Sequence, residues 1–167
     1  MLIALDVAYR ESQGYAVVAF PDWPSDAVSA VYTATIELVP AYEPGAFYKR
    51  ELPCLLAVLE KIDLAEVSCI VVDGYVTLGT EGRPGLGQHL HEALGGRVPV
   101  VGVAKTRFAG VAPQVVPLRR GQSQSPLYIT SVGMVAAEAA RQVAAMHGPY
   151  RFPTLLKLLD DLTKRAG

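Results

Sequence analysis

The order of the predicted elements indicates an α/β fold built on a mixed sheet. Three strand-like segments, at 2–9, 14–20 and 29–38, follow one another across short turns, which favours antiparallel hairpins. Further along, a buried strand at 69–73 and an apolar strand at 98–104 flank a helical pattern, and this strand–helix–strand unit implies parallel pairing through a right-handed crossover. Antiparallel strands and then parallel ones, with helices between them, make a mixed-sheet α/β domain.

Helical periodicity predicts the elements between and after these strands. Over 48–62 four leucines and Ile62 fall on one face, and Pro53 is tolerated in the first turn of that helix. A Gly-rich loop at 74–87 precedes the next helix, and an irregular segment, 109–126, carries the pair Arg119-Arg120, which is either solvated or in contact with a phosphate backbone. The remaining predictions are helices at 86–95, 135–147 and 153–166 and a strand at 127–132.

Size and composition narrow the class of protein. The chain has 167 residues, 51% of them hydrophobic, so we expect a single soluble domain, 1–167, with a sizeable core. A formal net charge of −1 gives no overall attraction to nucleic acid, so any such binding rests on local patches and metal. The two cysteines lack CxxC spacing, which argues against a disulfide framework or thiolate metal site.

No apolar run reaches roughly 18 residues and no secretion signal is apparent, so we expect a cytoplasmic protein without a membrane partner.

Three carboxylates occupy positions that the pattern predicts to be buried. Asp6 interrupts the apolar run 2–9, Asp73 ends the apolar run 69–73, and Glu51 opens the helix predicted at 48–62. Burying a carboxylate without a compensating partner costs on the order of several kcal/mol. Mg²⁺ and Mn²⁺ are the cations that prefer such oxygen ligands. The three acids therefore suggest a divalent-metal site, although a strand aspartate is more often a turn or cap ligand.

A cation and several glycines complete the candidate chemistry. Lys105 follows the strand at 98–104, where it would neutralise charge on a phosphate or simply be a solvated strand end. The glycines of the loop 74–87 lack the GxxxxGK[ST] pattern, so a nucleotide-binding P-loop is not indicated. His89 and His91 are predicted on different faces of their helix, which argues against joint zinc ligation.

Six short motifs, taken in order along the chain, resemble the endonuclease V family. Singly each motif is weak, but six in order with near-family spacing are a specific signal. The motifs are Asp6-Val7-Ala8-Tyr9; Tyr42-Glu43-Pro44-Gly45 with Tyr48-Lys49-Arg50-Glu51-Leu52-Pro53; Val72-Asp73-Gly74; Pro84-Gly85-Leu86-Gly87-Gln88-His89-Leu90; Gly102-Val103-Ala104-Lys105; and Tyr150-Arg151-Phe152-Pro153.

The resemblance implies a ribonuclease-H-like fold and a metal-dependent endonuclease. Such an enzyme nicks DNA or RNA at the second phosphodiester 3′ to hypoxanthine (inosine), with nucleic acid as its partner and no obligate protein partner expected. Residue by residue, the resemblance makes Asp6, Glu51 and Asp73 the ligands of Mg²⁺ or Mn²⁺ and places Lys105 at the phosphate. Substrate contacts are implied for a wedge that helps extrude the base and for the loop after the second aspartate, that is, for Tyr42, Pro44, Gly45 and Gly74.

Departures from the family pattern raise two alternatives. Met134 stands where the family has a histidine, Glu138 is a possible stand-in for a following aspartate, and Val76 replaces a second glycine after Asp73. Since a thioether cannot carry a proton, Met134 predicts slower cleavage. The alternatives are a nucleic-acid-binding module that has lost most cleavage, and a metal nuclease that acts on a branched or single-stranded substrate.

Overall fold

The computed structural model of the chain describes most of the sequence, in five stretches. They are residues 1–9, 13–36, 48–79, 82–107 and 115–166, and within them the side chains of residues 8, 9, 13, 36, 48–51, 54 and 166 lie outside the description.

Seven of the strands form one mixed sheet in the order β3-β2-β1-β4-β7-β9-β8, and β5 and β6 form a separate small hairpin. The strands are β1 (Leu2–Tyr9), β2 (Gln13–Phe20), β3 (Ala30–Ile36), β4 (Cys69–Asp73), β5 (Thr77–Leu78), β6 (Arg83–Pro84), β7 (Val100–Ala104), β8 (Val116–Leu118) and β9 (Leu127–Val132). The helices are α1 (Tyr48–Leu59), α2 (Leu86–Ala93), α3 (Ala136–Ala144) and α4 (Thr154–Ala166), with a 3-10 turn at Leu64–Glu66.

The strand directions confirm the predicted mixed sheet. β1 pairs antiparallel with β2, and β2 with β3, as the close spacing of these strands predicts. β1 pairs parallel with β4, and β4 with β7, around the crossover that contains α2. The strand at 127–132 does not extend the parallel set: β9 runs antiparallel to β7, and β8 pairs antiparallel with it at the edge. The short strands β5, β6 and β8 were not predicted because two or three residues are too few to show a period.

Helices cover both faces of the sheet, because side chains of successive strand residues point to opposite faces. Leu2 and Ala4 of β1 belong to the core under α3 and α4, whereas Ile3 and Leu5 belong to the core with α1 and α2. The strand β1 is therefore buried on both sides, which explains its unbroken apolar run up to Asp6. In the described part of the chain, no helix has the length and apolar character that crossing a membrane requires.

Candidate active site

Three aspartates from three separate elements meet at one edge of the sheet. Asp6 lies in β1, Asp73 ends β4, and Asp160 lies in α4. Each contributes one carboxylate oxygen to a group in which these oxygens all lie within 4.8 Å of one another. Among the described residues, this carboxylate cluster is the clearest candidate for a site of chemistry.

The register of two parallel strands brings the first two acids together. Leu5 of β1 is paired with Val72 of β4, so the next residues, Asp6 and Asp73, lie side by side on neighbouring strands. The carboxyl ends of parallel strands share one edge of a sheet, where ligand sites of open α/β folds also form. Two aspartates 67 positions apart in sequence therefore become neighbours.

The packing of α4 supplies the third acid. Leu155, Leu156 and Leu159 are buried at 2–4% exposure and hold the helix against the sheet. Asp160 follows Leu159 directly, at the border between this apolar stripe and solvent. One turn on, the hydroxyl of the fully buried Thr163 lies near enough to Asp6 to lower the pKa of that carboxyl.

Burial and mutual repulsion make the strand acids reluctant to ionise. Burial, and then the negative charge of Asp73, raise the pKa of Asp6 to about 7, despite the hydrogen bond that its Oδ1 accepts from the Val7 amide at 2.8 Å. Burial also raises the pKa of Asp73, although the charge of Lys105 opposes that shift. A bound cation would offset both the cost of ionising these buried carboxyl groups and the repulsion between them.

Two lysines stand beside the carboxylate cluster. The Lys105 ammonium lies 3.6 Å from Asp160 Oδ1 and 3.9 Å from Asp73 Oδ2, and it also lies 4.4 Å from the centre of the Phe152 ring. The Lys164 ammonium donates to Asp160 Oδ2 at 2.8 Å. Burial alone would raise the pKa of Asp160, but the hydrogen bond from Lys164 and the charge of Lys105 lower it overall.

The donor set fits a hard divalent cation. Three carboxylate oxygens within reach of a single position are the ligands that Mg²⁺ and Mn²⁺ take in preference to nitrogen or sulfur. When all three acids are ionised, as a bound cation would favour, they carry one negative charge more than the two lysines neutralise. Asp6, Asp73 and Asp160 would therefore hold such an ion, with Lys105 at its border.

The sequence-predicted site residues divide into those that the structure places and those outside its description. The structure brings Asp6, Asp73 and Lys105 together, and Gly74 directly follows Asp73. Glu51 lies in the first turn of α1, but its side chain lies outside the description, so its part in a metal site stays a prediction. The predicted wedge residues Tyr42, Pro44 and Gly45 lie entirely outside the described residues, so their role also stays a prediction.

Met134 lies away from this cluster, at the opposite edge of the sheet. Val132 pairs with Val100 at the start of β7, whereas Asp73 pairs with Val103 near its end. Three residues of strand separate those levels by about 10 Å, and Met134 comes two residues beyond Val132. Its side chain packs against the core instead. Glu138 is not in the cluster either, because Arg141 and Gln142 hold its carboxylate at the surface.

The loop after Asp73 is shaped by close backbone packing. Gly74 has φ +118°, a conformation that favours glycine, and a Cβ on Gly102 would lie 2.5 Å from the Gly74 carbonyl oxygen. The Val76 amide donates to the Thr130 hydroxyl at 2.8 Å. Val76 itself is fully buried, so the residue that replaces the family's second glycine fills the core and does not obstruct the edge where the acids lie.

Two arginines anchor the start of α4. Arg120 is only 7% exposed, and its guanidinium donates to the carbonyl oxygens of Met146 and Tyr150 at 2.7 Å each and of Gly148 at 3.1 Å. Arg151 donates to the carbonyl oxygens of Pro126, at 2.8 Å, and Lys105. The prediction that Arg120 is solvated or touches phosphate is wrong, because its donors are occupied in holding the chain between α3 and α4. These contacts fix the helix that carries Asp160.

Comparison with known proteins decides the family. The family model described as Endonuclease V matches residues 1–147. The chain belongs to the Endonuclease V family. It is 25% identical to the Endonuclease V of Ignicoccus hospitalis, over 96% of this chain and 79% of that protein. It is 29% identical to the Endonuclease V of Streptomyces avermitilis, over 97% of this chain and 78% of that one.

Solved structures of Endonuclease V share the fold. The Bacillus subtilis structure matches with a TM-score of 0.78 at 18% identity, over 98% of this chain and 79% of that one. The D234N variant from Ciona intestinalis, solved with a 23mer DNA that contains an inosine followed by a ribo-adenosine, matches with a TM-score of 0.72 at 15% identity, over 98% of this chain and 83% of that chain. The predicted family and fold are thereby confirmed, and the chain is a member of a nuclease family.

Proposed function

We propose that this Endonuclease V-family protein is a divalent-metal-dependent endonuclease that nicks nucleic acid 3′ to hypoxanthine. The observation that carries the proposal is the convergence of Asp6, Asp73 and Asp160 within 4.8 Å, with Lys105 beside them. Membership of the family supports hydrolysis of a phosphodiester, and the inosine-containing DNA bound by the Ciona intestinalis relative supports the class of substrate.

The three aspartates would hold Mg²⁺ or Mn²⁺, with Glu51 as a further ligand if its side chain reaches the cluster. When bound, such an ion activates a water and stabilises the leaving oxygen of a phosphodiester. The chain's own contribution is to position charge. Asp6 and Asp73 are fixed by neighbouring strands and Asp160 by a packed helix, so little reorganisation accompanies substrate binding.

Lys105 would meet the phosphate at the border of the cluster. Its ammonium contacts Asp73 and Asp160 and is 37% exposed, so it is both fixed and accessible. Its backbone carbonyl is held by Arg151, which fixes the chain at the end of β7. A cation so placed neutralises a phosphate oxygen whose negative charge the carboxylates would otherwise repel.

The alternative function, a binding module that has lost cleavage, rested on Met134. In the sheet register Met134 follows the strand end opposite the carboxylate cluster, which weighs against that alternative. We therefore propose cleavage, with inosine as the preferred lesion.

A nicking assay tests the proposal. Oligonucleotides of DNA and of RNA, each with one hypoxanthine and each with an undamaged control, are incubated with the protein in Mg²⁺, in Mn²⁺ and in EDTA. We expect metal-dependent nicking at the second phosphodiester 3′ to the lesion. Asp73→Asn preserves shape but removes a ligand charge, and should lose at least about 100-fold, the upper end of losses seen when only the support of a metal ligand is removed. Nicking in EDTA, or equal nicking by folded Asp73→Asn, would contradict the proposal.

A further inference from the structure

A cavity of about 380 Å³ opens beside the carboxylate cluster, between the ends of β4 and β7. Asp73 and Lys105 belong to its wall as well as to the cluster, and the remaining wall includes Tyr75, Thr106 and Arg107. Whatever occupies this cavity therefore lies directly beside the group held by Asp73 and Lys105.

Tyr75 is the aromatic residue of this wall, and contacts of its hydroxyl and of its ring hold it in place. Its hydroxyl donates to the Thr106 carbonyl oxygen at 2.8 Å. Its ring stacks with that of Tyr128, with centroids 6.5 Å apart and planes inclined by 27°. An aromatic ring held in this way loses little conformational entropy when a ligand stacks on it.

The backbone opens space next to this ring. Gly74 turns the chain at φ +118°, and a Cβ built there would meet nothing within 4 Å. Charge around the space suits a polyanion, because Lys105 is 37% exposed and Arg107 is exposed.

We propose that Tyr75, supported by Tyr128, is the stacking platform for the base of an undamaged nucleotide next to the scissile phosphate, with Arg107 beside the adjoining phosphate. The inference rests on the proposed nuclease function and adds the state of the substrate at the cut. A nucleotide whose phosphate lies at Asp73 and Lys105 carries its base within reach of a cavity that shares those residues.

The platform selects for unpaired strands. A base stacked on a tyrosine has left its own stack, so a substrate that is already single-stranded around the cut avoids the cost of unstacking. Every base has a π-face, so the platform tolerates all four bases. We therefore expect tighter binding when the nucleotides 3′ to the lesion are unpaired than when they are in duplex.

The experiment uses inosine oligonucleotides with 2-aminopurine at the first or second position 3′ to the lesion, bound to the whole protein in Ca²⁺. Wild type and Tyr75→Phe should change the 2-aminopurine fluorescence at one of these positions. Tyr75→Leu should abolish that change and weaken binding about tenfold, the order of loss for one stacked base. Tyr150→Leu is the matched control, because Tyr150 is 76% exposed and does not line the cavity.

Two outcomes overturn the platform. One is a wild-type complex whose fluorescence changes at neither position, and the other is a Tyr75→Leu protein that matches wild type in affinity and fluorescence. Nicking of the same oligonucleotides in Mg²⁺ is measured in parallel. Failure of the proposed function shows as no nicking by wild type, whereas failure of the platform alone shows as nicking by wild type together with one of these two outcomes.

Discussion

The two strand carboxylates and the helix carboxylate reach the same site from contrasting surroundings. Asp6 interrupts and Asp73 ends an apolar run, and each run lies in a strand that is buried on both faces. Asp160 lies in an amphipathic helix next to Asp161, and both acids form i,i+4 pairs with lysines, Asp160 with Lys164 at 2.8 Å and Asp161 with Lys157 at 3.0 Å. An acid in a buried strand is conspicuous in sequence, whereas an acid on a helix border looks like an ordinary solvated pair.

The test with the largest expected effect replaces Asp160 and Asp161 of the helix one at a time. We expect Asp160→Asn to lower metal-dependent nicking by at least about 100-fold, because losing a ligand charge should cost no less than losing a contact that supports a ligand. Asp161→Asn, which alters the adjacent residue outside the cluster, should stay within about threefold because exposed ion pairs contribute little. Rates are measured under single-turnover conditions with saturating enzyme. Equal rates for the two variants would mean that Asp160 is no more than a surface acid.

This contrast also explains how far the sequence could predict the site. Asp6, Asp73 and Lys105 were predictable because each lies in or directly after a strand of recognisable apolar pattern, and the carboxyl ends of parallel strands share one edge. Asp160 was missed because its convergence depends on how α4 lies across the sheet, which Arg120 and Arg151 fix through backbone carbonyls. Such contacts carry no sequence period. The stripe of Leu155, Leu156 and Leu159 with Asp160 at its border was the available signal.

The second test concerns the stability of the metal-free protein against pH. Burial and Asp73 raise the pKa of Asp6 from 3.8 to about 7, so between those values the folded protein holds a proton that the unfolded chain has released. Stability should therefore fall as the pH rises from about 4 to about 7. Thermal unfolding in EDTA at pH 5 and pH 7.5 measures this fall, and Asp6→Asn should make it smaller. An unchanged fall in Asp6→Asn would show that another group causes it.

A smaller effect, on metal affinity, should distinguish Lys164 from Lys157 in α4. Lys164 occupies an oxygen of Asp160 and adds positive charge where a cation would bind, whereas Lys157 pairs with Asp161 outside the cluster. Lys164→Gln should raise affinity for Mn²⁺ by up to roughly thirtyfold, because one positive charge about 4 Å from a divalent ion costs about 2 kcal/mol in water-like surroundings. Lys157→Gln is the matched control with a smaller change. Titration of the purified variants with Mn²⁺, followed by electron paramagnetic resonance, measures both, and a weaker affinity in Lys164→Gln would contradict the competition.

The smallest expected effect is that of Met134→His. From the sequence, a histidine at this position should speed cleavage by restoring a proton carrier. The register argues otherwise, because Met134 follows the end of β9 that lies beside the start of β7, about 10 Å or more from the level of Asp73. An imidazole there cannot reach a water at the carboxylate cluster, and its polar ring would replace a thioether that packs against the core.

We therefore expect single-turnover nicking by Met134→His to stay within about twofold of wild type, since general acid–base help requires hydrogen-bond reach. The same substitution should lower the thermal unfolding midpoint, because a polar ring would replace an apolar side chain that packs against the core. A rate increase of tenfold or more, with unchanged substrate affinity, would contradict this reasoning. It would mean that the end of β9 approaches the acids when nucleic acid binds, and that the separation between the two sheet edges does not persist in the complex.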